Sequence, residues 1–158
     1  MNYVFVDLQG FPGYQICKEG IIKSHKGTLL KNCFDSHNHC IHRLRNENGK
    51  LVSVYLSHLM AKTFLENPEN KPEVDHKDND PKNNHIDNLR WATRSENTMN
   101  RKKPKNNTSG FKGVIKQKNI FVARCAGWYV GSYKTAEEAK QAYDNYAQNY
   151  AKTFYNPN

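Results

Sequence analysis

The sequence predicts an α+β fold. A short-stranded N-terminal β module leads into a strand–strand–helix unit, and a three-stranded antiparallel sheet packed on one helix follows. Three observations point there. Residues 1–56 alternate short apolar clusters with glycine- and asparagine-rich turns. Residues 73–97 run as strand, long polar loop, strand and capped helix start. Residues 111–150 hold three strand candidates and then apolar residues at helical spacing.

In chain order, Val4-Phe5-Val6 is a first strand, ended by the turn Gly10-Phe11-Pro12-Gly13. Tyr14 to Ile16 and Ile21 to Lys23 flank Gly20. His42-Arg43-Leu44-Arg45 and Leu51-Val52-Ser53-Val54-Tyr55 flank Asn46-Glu47-Asn48-Gly49 and read as a hairpin. Leu56, Leu59, Met60 and Phe64 recur at helical spacing, and Pro68 stops that helix. Glu69 to Asn88 is dense in Asn, Asp, Lys and Pro, a composition that makes a loop. Leu89-Arg90-Trp91-Ala92 is a short strand. Thr93-Arg94-Ser95-Glu96 has capping-box form and opens a helix, with Asn97 in its first turn. Asn100 to Gly110 is a linker. Phe111–Gln117, Ile120–Ala126 and Trp128–Tyr133 are strands, and Thr135-Ala-Glu-Glu138 is a second capping box. Ala139, Ala142, Tyr143, Tyr146, Ala147 and Tyr150 form one apolar stripe, which a sheet must cover.

Composition narrows the class of function. The 158 residues carry 24 Lys+Arg against 15 Asp+Glu, a net charge of +9. No apolar run approaches the ~20 residues a membrane-spanning helix needs. Asp7 interrupts any secretory apolar region, so the expected location is intracellular rather than secreted. The charge is uneven. Residues 61–100 carry six basic and eight acidic groups, whereas residues 101–118 carry seven basic groups and no acidic one. A stripe of that density suits a polyanion. Carboxylates close to bound DNA would repel it unless a cation lies between them.

Cys33, His37, His39, Cys40 and His42 cluster, and thiolates with imidazoles invite a zinc reading. Their spacing matches no common pair of zinc knuckles. Structural zinc is therefore not expected; reduced cysteines on a strand or loop are.

The chemistry concentrates in Asp75-His76, Asn83-Asn84, Asn88 and Asn97. Asp75 and His76 are adjacent, so on a strand they point to opposite faces. They converge only if the strand has ended, and Lys77-Asp78-Asn79-Asp80-Pro81 supplies the turn. Hydrolysis of a phosphodiester needs a base for the water proton and charge stabilisation at the leaving 3′ oxygen. A neutral imidazole suits the first task. A hard divalent ion on oxygen ligands suits the second, and Asp75 with the Asn97 carbonyl could hold it. With one carboxylate in the set, a single ion is favoured.

Residues 64–97, from Phe64-Leu65-Glu66 through Val74-Asp75-His76 and Asn88-Leu89-Arg90-Trp91 to Asn97, resemble the HNH nuclease motif in the branch typical of phage and mobile-intron homing endonucleases. The resemblance implies the ββα-metal (HNH) finger. It implies Asp75 and Asn97 as ligands of one Mg²⁺ or Mn²⁺ ion, His76 as general base, and Asn88 as the brace of the loop that orients it. Asn97 stands where other members have a last histidine, giving an H-N-N variant. Residues 1–62 resemble the N-terminal module that often precedes this motif, through Gly13-Tyr14-Gln15-Ile16 and Gly20-Ile21-Ile22-Lys23-Ser24. Relatives read His-Arg-Leu where this chain reads Ser57-His58-Leu59, so His58 occupies the arginine position.

Residues 107–158 resemble the APETALA2-type DNA-binding domain, through Thr108-Ser109-Gly110-Phe111-Lys112-Gly113-Val114, Val130-Gly131-Ser132-Tyr133 and Ala142-Tyr143-Asp144. That family reads the major groove with its sheet. Lys112 and Arg124 fall at contact positions, while Ile115 and Gln117 replace two arginines. Lys116 adds a further cation. The expected organisation is residues 1–62 as the N-terminal module, 63–100 as the nuclease motif, 101–107 as a basic linker and 108–158 as the DNA-binding domain. Arg101, Lys102, Lys103 and Lys105 of the linker are expected on phosphates. The expected function is metal-dependent cleavage of double-stranded DNA, by nicking or double-strand cutting, with no membrane and no small-molecule cofactor involved. The alternative is a non-catalytic DNA-binding regulator that keeps the nuclease shape. Oligomeric state is left open by the sequence.

Overall fold

The computed structural model describes residues 3–150 and Phe154, and the chain divides into two compact units, Met1–Trp91 and Ala92–Asn158.

In the first unit, β1 (Val6–Asp7), β2 (Tyr14–Ile16) and β3 (Ile22–Ser24) form an antiparallel sheet in that order. A second antiparallel sheet contains β4 (Cys33–Phe34), β5 (Cys40–Arg45) and β6 (Leu51–Tyr55). Along β5, Cys40, His42 and Leu44 face inward while Arg43 and Arg45 face solvent, the period-two pattern of a strand with one covered side. The expected hairpin at 46–49 is present, with Arg45 opposite Leu51. The Asn46 Oδ1 accepts from the backbone N–H of Asn48 (3.1 Å) and Lys50 (3.0 Å), which closes the turn locally.

Helix α1 (Leu56–Phe64) follows β6 without a break. Leu56, Leu59 and Met60 bury one face against Leu8, Ile16, Ile22, Cys40, Leu44 and Leu89. The helix stops at Phe64, before Pro68, because Leu65 is already extended. β7 (Glu73–His76) pairs with β8 (Leu89–Ala92), and a 3₁₀ turn at Ile86–Asn88 leads into β8.

In the second unit, α2 (Arg94–Asn100) begins at the predicted capping box. The Thr93 hydroxyl accepts from the Glu96 N–H at 3.2 Å, and the Thr93 N–H donates to the Glu96 carboxylate at 2.7 Å. β9 (Val114–Gln117), β10 (Ile120–Cys125) and β11 (Trp128–Tyr133) form an antiparallel sheet in the order β11-β10-β9. Helix α3 (Ala136–Tyr150) packs Ala139, Tyr143 and Ala147 on Val114, Ala123 and Cys125. Its stripe ends a turn earlier than predicted, since Tyr150 is exposed and stacks on Tyr146 instead.

β9 starts at Val114 rather than Phe111. Residues 107–113 form a turn in which the Asn107 amide donates to the Phe111 carbonyl (2.9 Å) and the Ser109 hydroxyl to the Val114 carbonyl (2.7 Å). Gly113 sits in that turn at φ +71°. A Cβ there would lie 2.1 Å from the Tyr143 ring and 2.8 Å from the Arg124 carbonyl oxygen. Gly113→Ala therefore combines left-handed strain with overpacking, an expected loss of about 2–5 kcal/mol. Urea unfolding should show a clearly lower midpoint; an unchanged midpoint would mean Tyr143 does not pack as described.

Candidate active site

Asp75 and His76 end β7, and the chain turns at once. The Lys77 N–H donates to the Asn88 carbonyl (2.9 Å) and the Asn79 N–H to the His76 carbonyl (2.9 Å), with Asn79 at φ +61°. Both residues still belong to the strand, and the turn begins only after His76. Both are buried, at 4% exposure for Asp75 and 9% for His76. The Asp75 Oδ2 accepts from the Arg90 Nε of the neighbouring strand at 2.8 Å.

Residues 77–88 are held by their own polar side chains. The Asp78 carboxylate accepts from the Asp80 N–H (2.8 Å), the Asn83 amide (2.7 Å) and the Asn88 amide (3.0 Å). The Asn88 Oδ1 accepts from the Asp78 N–H at 3.2 Å, and its Nδ2 also donates to the Asn83 carbonyl at 2.8 Å. Partial burial acts to raise the Asp78 pKa, but these hydrogen bonds and the nearby His76 outweigh it and hold the carboxyl below its ordinary value. Asn88 thus spans the loop from both ends. Its contacts are with loop atoms, which makes it a brace.

A second imidazole lies beside the first. The His39 ring centroid is 6.4 Å from that of His76 and 5.7 Å from Tyr55, which is in turn 6.1 Å from His58. His39 sits on the β4–β5 turn, where the Asp35 Oδ1 accepts from the backbone N–H of His37 (2.8 Å) and His39 (2.9 Å). The Asp35 Oδ2 lies 3.5 Å from His39 Nδ1. Cys40 and His42 face inward from the next strand, with Sγ and Nε2 3.6 Å apart, while Cys33 faces solvent. Among the described residues, no three His, Cys, Asp or Glu side chains gather as metal ligands.

Burial pushes the His42 pKa down. Burial, and then the Lys62 charge, does the same at His58. A histidine depressed in the folded state leaves the unfolded chain taking up protons that the folded chain refuses. Stability from these groups is complete above the ordinary imidazole value, about 6.5, and is lost as pH falls through it. The melting temperature should drop between about pH 7.5 and 5.5, and His42→Leu should flatten that slope. A series of melting temperatures against pH checks this; an identical slope in the variant would count against it.

The candidate DNA contacts differ in placement. Arg101, Lys102, Lys103 and Lys105 are exposed, with the Lys103 Nζ donating to the Gly110 carbonyl at 2.6 Å. Arg124 is exposed opposite Tyr129, and the Tyr129 hydroxyl donates to Ser132 Oγ at 3.0 Å. Trp128 and Tyr129 are each 61% exposed. Lys116 pairs across the ladder with Phe121, and its Nζ lies 6.0 Å from that ring, on the face that carries the core. Lys112 donates to the Met99 carbonyl at the end of α2, and burial lowers its pKa to about 8. Lys112 therefore ties its turn to α2. Asn97 is half-buried in α2, its N–H on the Thr93 carbonyl at 3.0 Å.

The segment thus runs as a strand that ends on Asp-His, a clamped polar loop, a return strand and a capped helix. Residues 56–99, from α1 to α2, match the family described as HNH endonuclease. The chain is 36% identical over 97 residues to the DNA endonuclease I-HmuI of Bacillus phage SP01, covering 60% of this chain and 55% of that protein. It is 34% identical over 94 residues to an uncharacterized HNH endonuclease of Acanthamoeba polyphaga mimivirus, covering 58% of this chain and 28% of that protein. Protein 3.8 of Escherichia phage T7 is 54% identical over 41 residues, covering 26% of this chain and 34% of its own. The solved structure of I-HmuI, described as showing DNA binding and cleavage by an HNH homing endonuclease, matches at a TM-score of 0.56 and 31% identity, covering 61% of this chain and 56% of that one. The chain thus spans from about a quarter to just over half the length of these relatives.

The sequence singled out Asn84 without a role and His39 only as a candidate zinc ligand, and it assigned no role to Arg90 or Asp78. Only Asp78 had a local signal, an aspartate opening an Asx turn. The other three act through contacts that cross the chain.

Proposed function

We propose that the chain is a divalent-metal-dependent DNA endonuclease of the homing type. The observation that supports it best is the pair Asp75-His76 at the end of β7, beside a loop clamped by Asn88. The relatives named as DNA endonucleases support the same substrate. HNH nucleases in general depend on a divalent metal, and the donor set here suits a hard ion. Asp75 offers carboxylate oxygens, and a carboxylate accepts up to about four partners, so its bond to Arg90 is compatible with a ligand role. Asn97 is assigned to the same ion from the motif alone. Mg²⁺ or Mn²⁺ fits such oxygens and keeps water in its shell.

In this reading, His76 takes the proton from the attacking water as the oxygen approaches phosphorus. Arg90 holds Asp75 in place, and Asn88 fixes the loop that carries His76. A bound divalent ion would stabilise the charge on the leaving 3′ oxygen. The exposed linker cations and Arg124, with Trp128 and Tyr129 beside it, are assigned to DNA, and the second unit is read as an APETALA2-type sheet domain. The test is incubation of supercoiled and linear DNA with Mg²⁺, Mn²⁺ or EDTA, followed by end mapping. Nicked or linear product with 3′-hydroxyl ends, absent in EDTA, is expected. Binding without cleavage under either ion would leave a DNA-binding regulator that keeps only the nuclease shape.

A further inference from the structure

We propose that Asn84 is a positioning residue for His76: its carboxamide holds the imidazole as the Nε2–H form and so assigns the basic lone pair to Nδ1. The catalytic consequence rests on the nuclease reading above; the tautomer itself does not.

The argument is one of donors and acceptors. The Asn84 Nδ2 donates to the Pro81 carbonyl at 3.3 Å and to the Lys82 carbonyl at 3.1 Å. Carbonyl oxygens only accept, so the amide cannot be turned round without placing its own oxygen against two others. Its Oδ1 therefore faces His76 Nε2, 3.1 Å away. That oxygen also only accepts, so Nε2 must carry the hydrogen. A neutral imidazole has one N–H, and Nδ1 is left with the lone pair.

The support is rigid. The Asn84 N–H donates to the Lys82 carbonyl (3.1 Å) and the Asn83 N–H to the Asp80 carbonyl (3.1 Å). Asn83 is held in turn by Asp78 and Asn88. Asn84 and His76 are 7% and 9% exposed, so water competes poorly for either group. The loop brace and the base orientation are thus one network. Asn88 shapes the turn, and Asn84, on the inside of that turn, reads the shape out to the ring.

The test uses the full chain, ¹⁵N-labelled and metal-free, at a pH of about 9, where histidine side chains are ordinarily neutral. Long-range ¹H–¹⁵N spectra assign the His76 ring, with His76→Gln identifying its signals. Wild type should show a protonated Nε2 and an unprotonated Nδ1. Asn84→Ala should move both shifts towards a tautomer mixture. Asn84→Asp keeps an acceptor beside Nε2 but sets its second oxygen against the Pro81 and Lys82 carbonyls, so it should shift the pattern less than Asn84→Ala does. In cleavage assays Asn84→Ala should lower kcat on the order of 10–100-fold, with KM for DNA little changed. A protonated Nδ1 in wild type overturns the proposal, as does an unshifted pattern in folded Asn84→Ala. Should Asn84→Ala fail to fold, the wild-type spectrum decides alone. A tautomer that shifts in a chain that cuts no DNA would sink the nuclease reading and leave this assignment standing. A cutting chain with a protonated Nδ1 would do the reverse.

Discussion

His76→Ala should cut DNA about 10²–10⁴-fold more slowly than wild type while binding it nearly as well. A general base acts chiefly in the transition state, so its loss falls on kcat rather than on the bound complex. The ring is mostly buried and bonded to Asn84, so it is an anchored group rather than a surface contact for phosphate. Single-turnover cleavage beside fluorescence anisotropy on the same duplex measures both quantities. Equal loss of binding and cleavage would mean His76 holds DNA. Undiminished cutting would remove it from the chemistry.

In the proposed reading Asp75 carries two roles, which two substitutions separate. Asp75→Ala should abolish metal-dependent cleavage and also destabilise the chain. It leaves the Arg90 guanidinium, with 18% of its side chain exposed, facing an empty place. Breaking one side of a buried pair costs roughly 3–5 kcal/mol. Asp75→Asn keeps the shape and still offers an oxygen to Arg90 Nε, so it should lose less stability while remaining inactive in Mg²⁺ and in Mn²⁺. Urea unfolding and cleavage, run side by side, give the comparison. Wild-type activity in Asp75→Asn would refute the ligand role. Equal stability of the two variants would refute the importance of the pair with Arg90.

Local chemistry was readable from the sequence. Both capping boxes stand where Thr93 and Thr135 placed them, because a side chain reaching three residues ahead needs no knowledge of the fold. The 46–49 hairpin and the α3 stripe followed from turn residues and periodicity in the same way. Asp75 and His76 were legible as a pair, since the turn after them is written in the next five residues. Their partners were not. Arg90 meets Asp75 across fifteen positions, and only the pairing of β7 with β8 brings them together. His39 reaches His76 from a different sheet, so a cluster that read as a candidate zinc site places one ring beside His76, while Cys40 and His42 face inward. Lys112 is the converse case. Its sequence position suggests a surface cation, and its bond to Met99 also ties its turn to α2. Charge can be counted in a sequence, but whether a charge faces water depends on packing.

The uneven fate of the four thiols has a practical use. Cys17, Cys40 and Cys125 are enclosed, and burial pushes the Cys40 pKa up to about 11, which starves it of the reactive anion. Cys33 stands open to solvent on β4, next to the turn that carries His39. A maleimide dye added at neutral pH should couple at that single position. It would give an optical reporter beside the turn that carries His39 without a single engineered substitution.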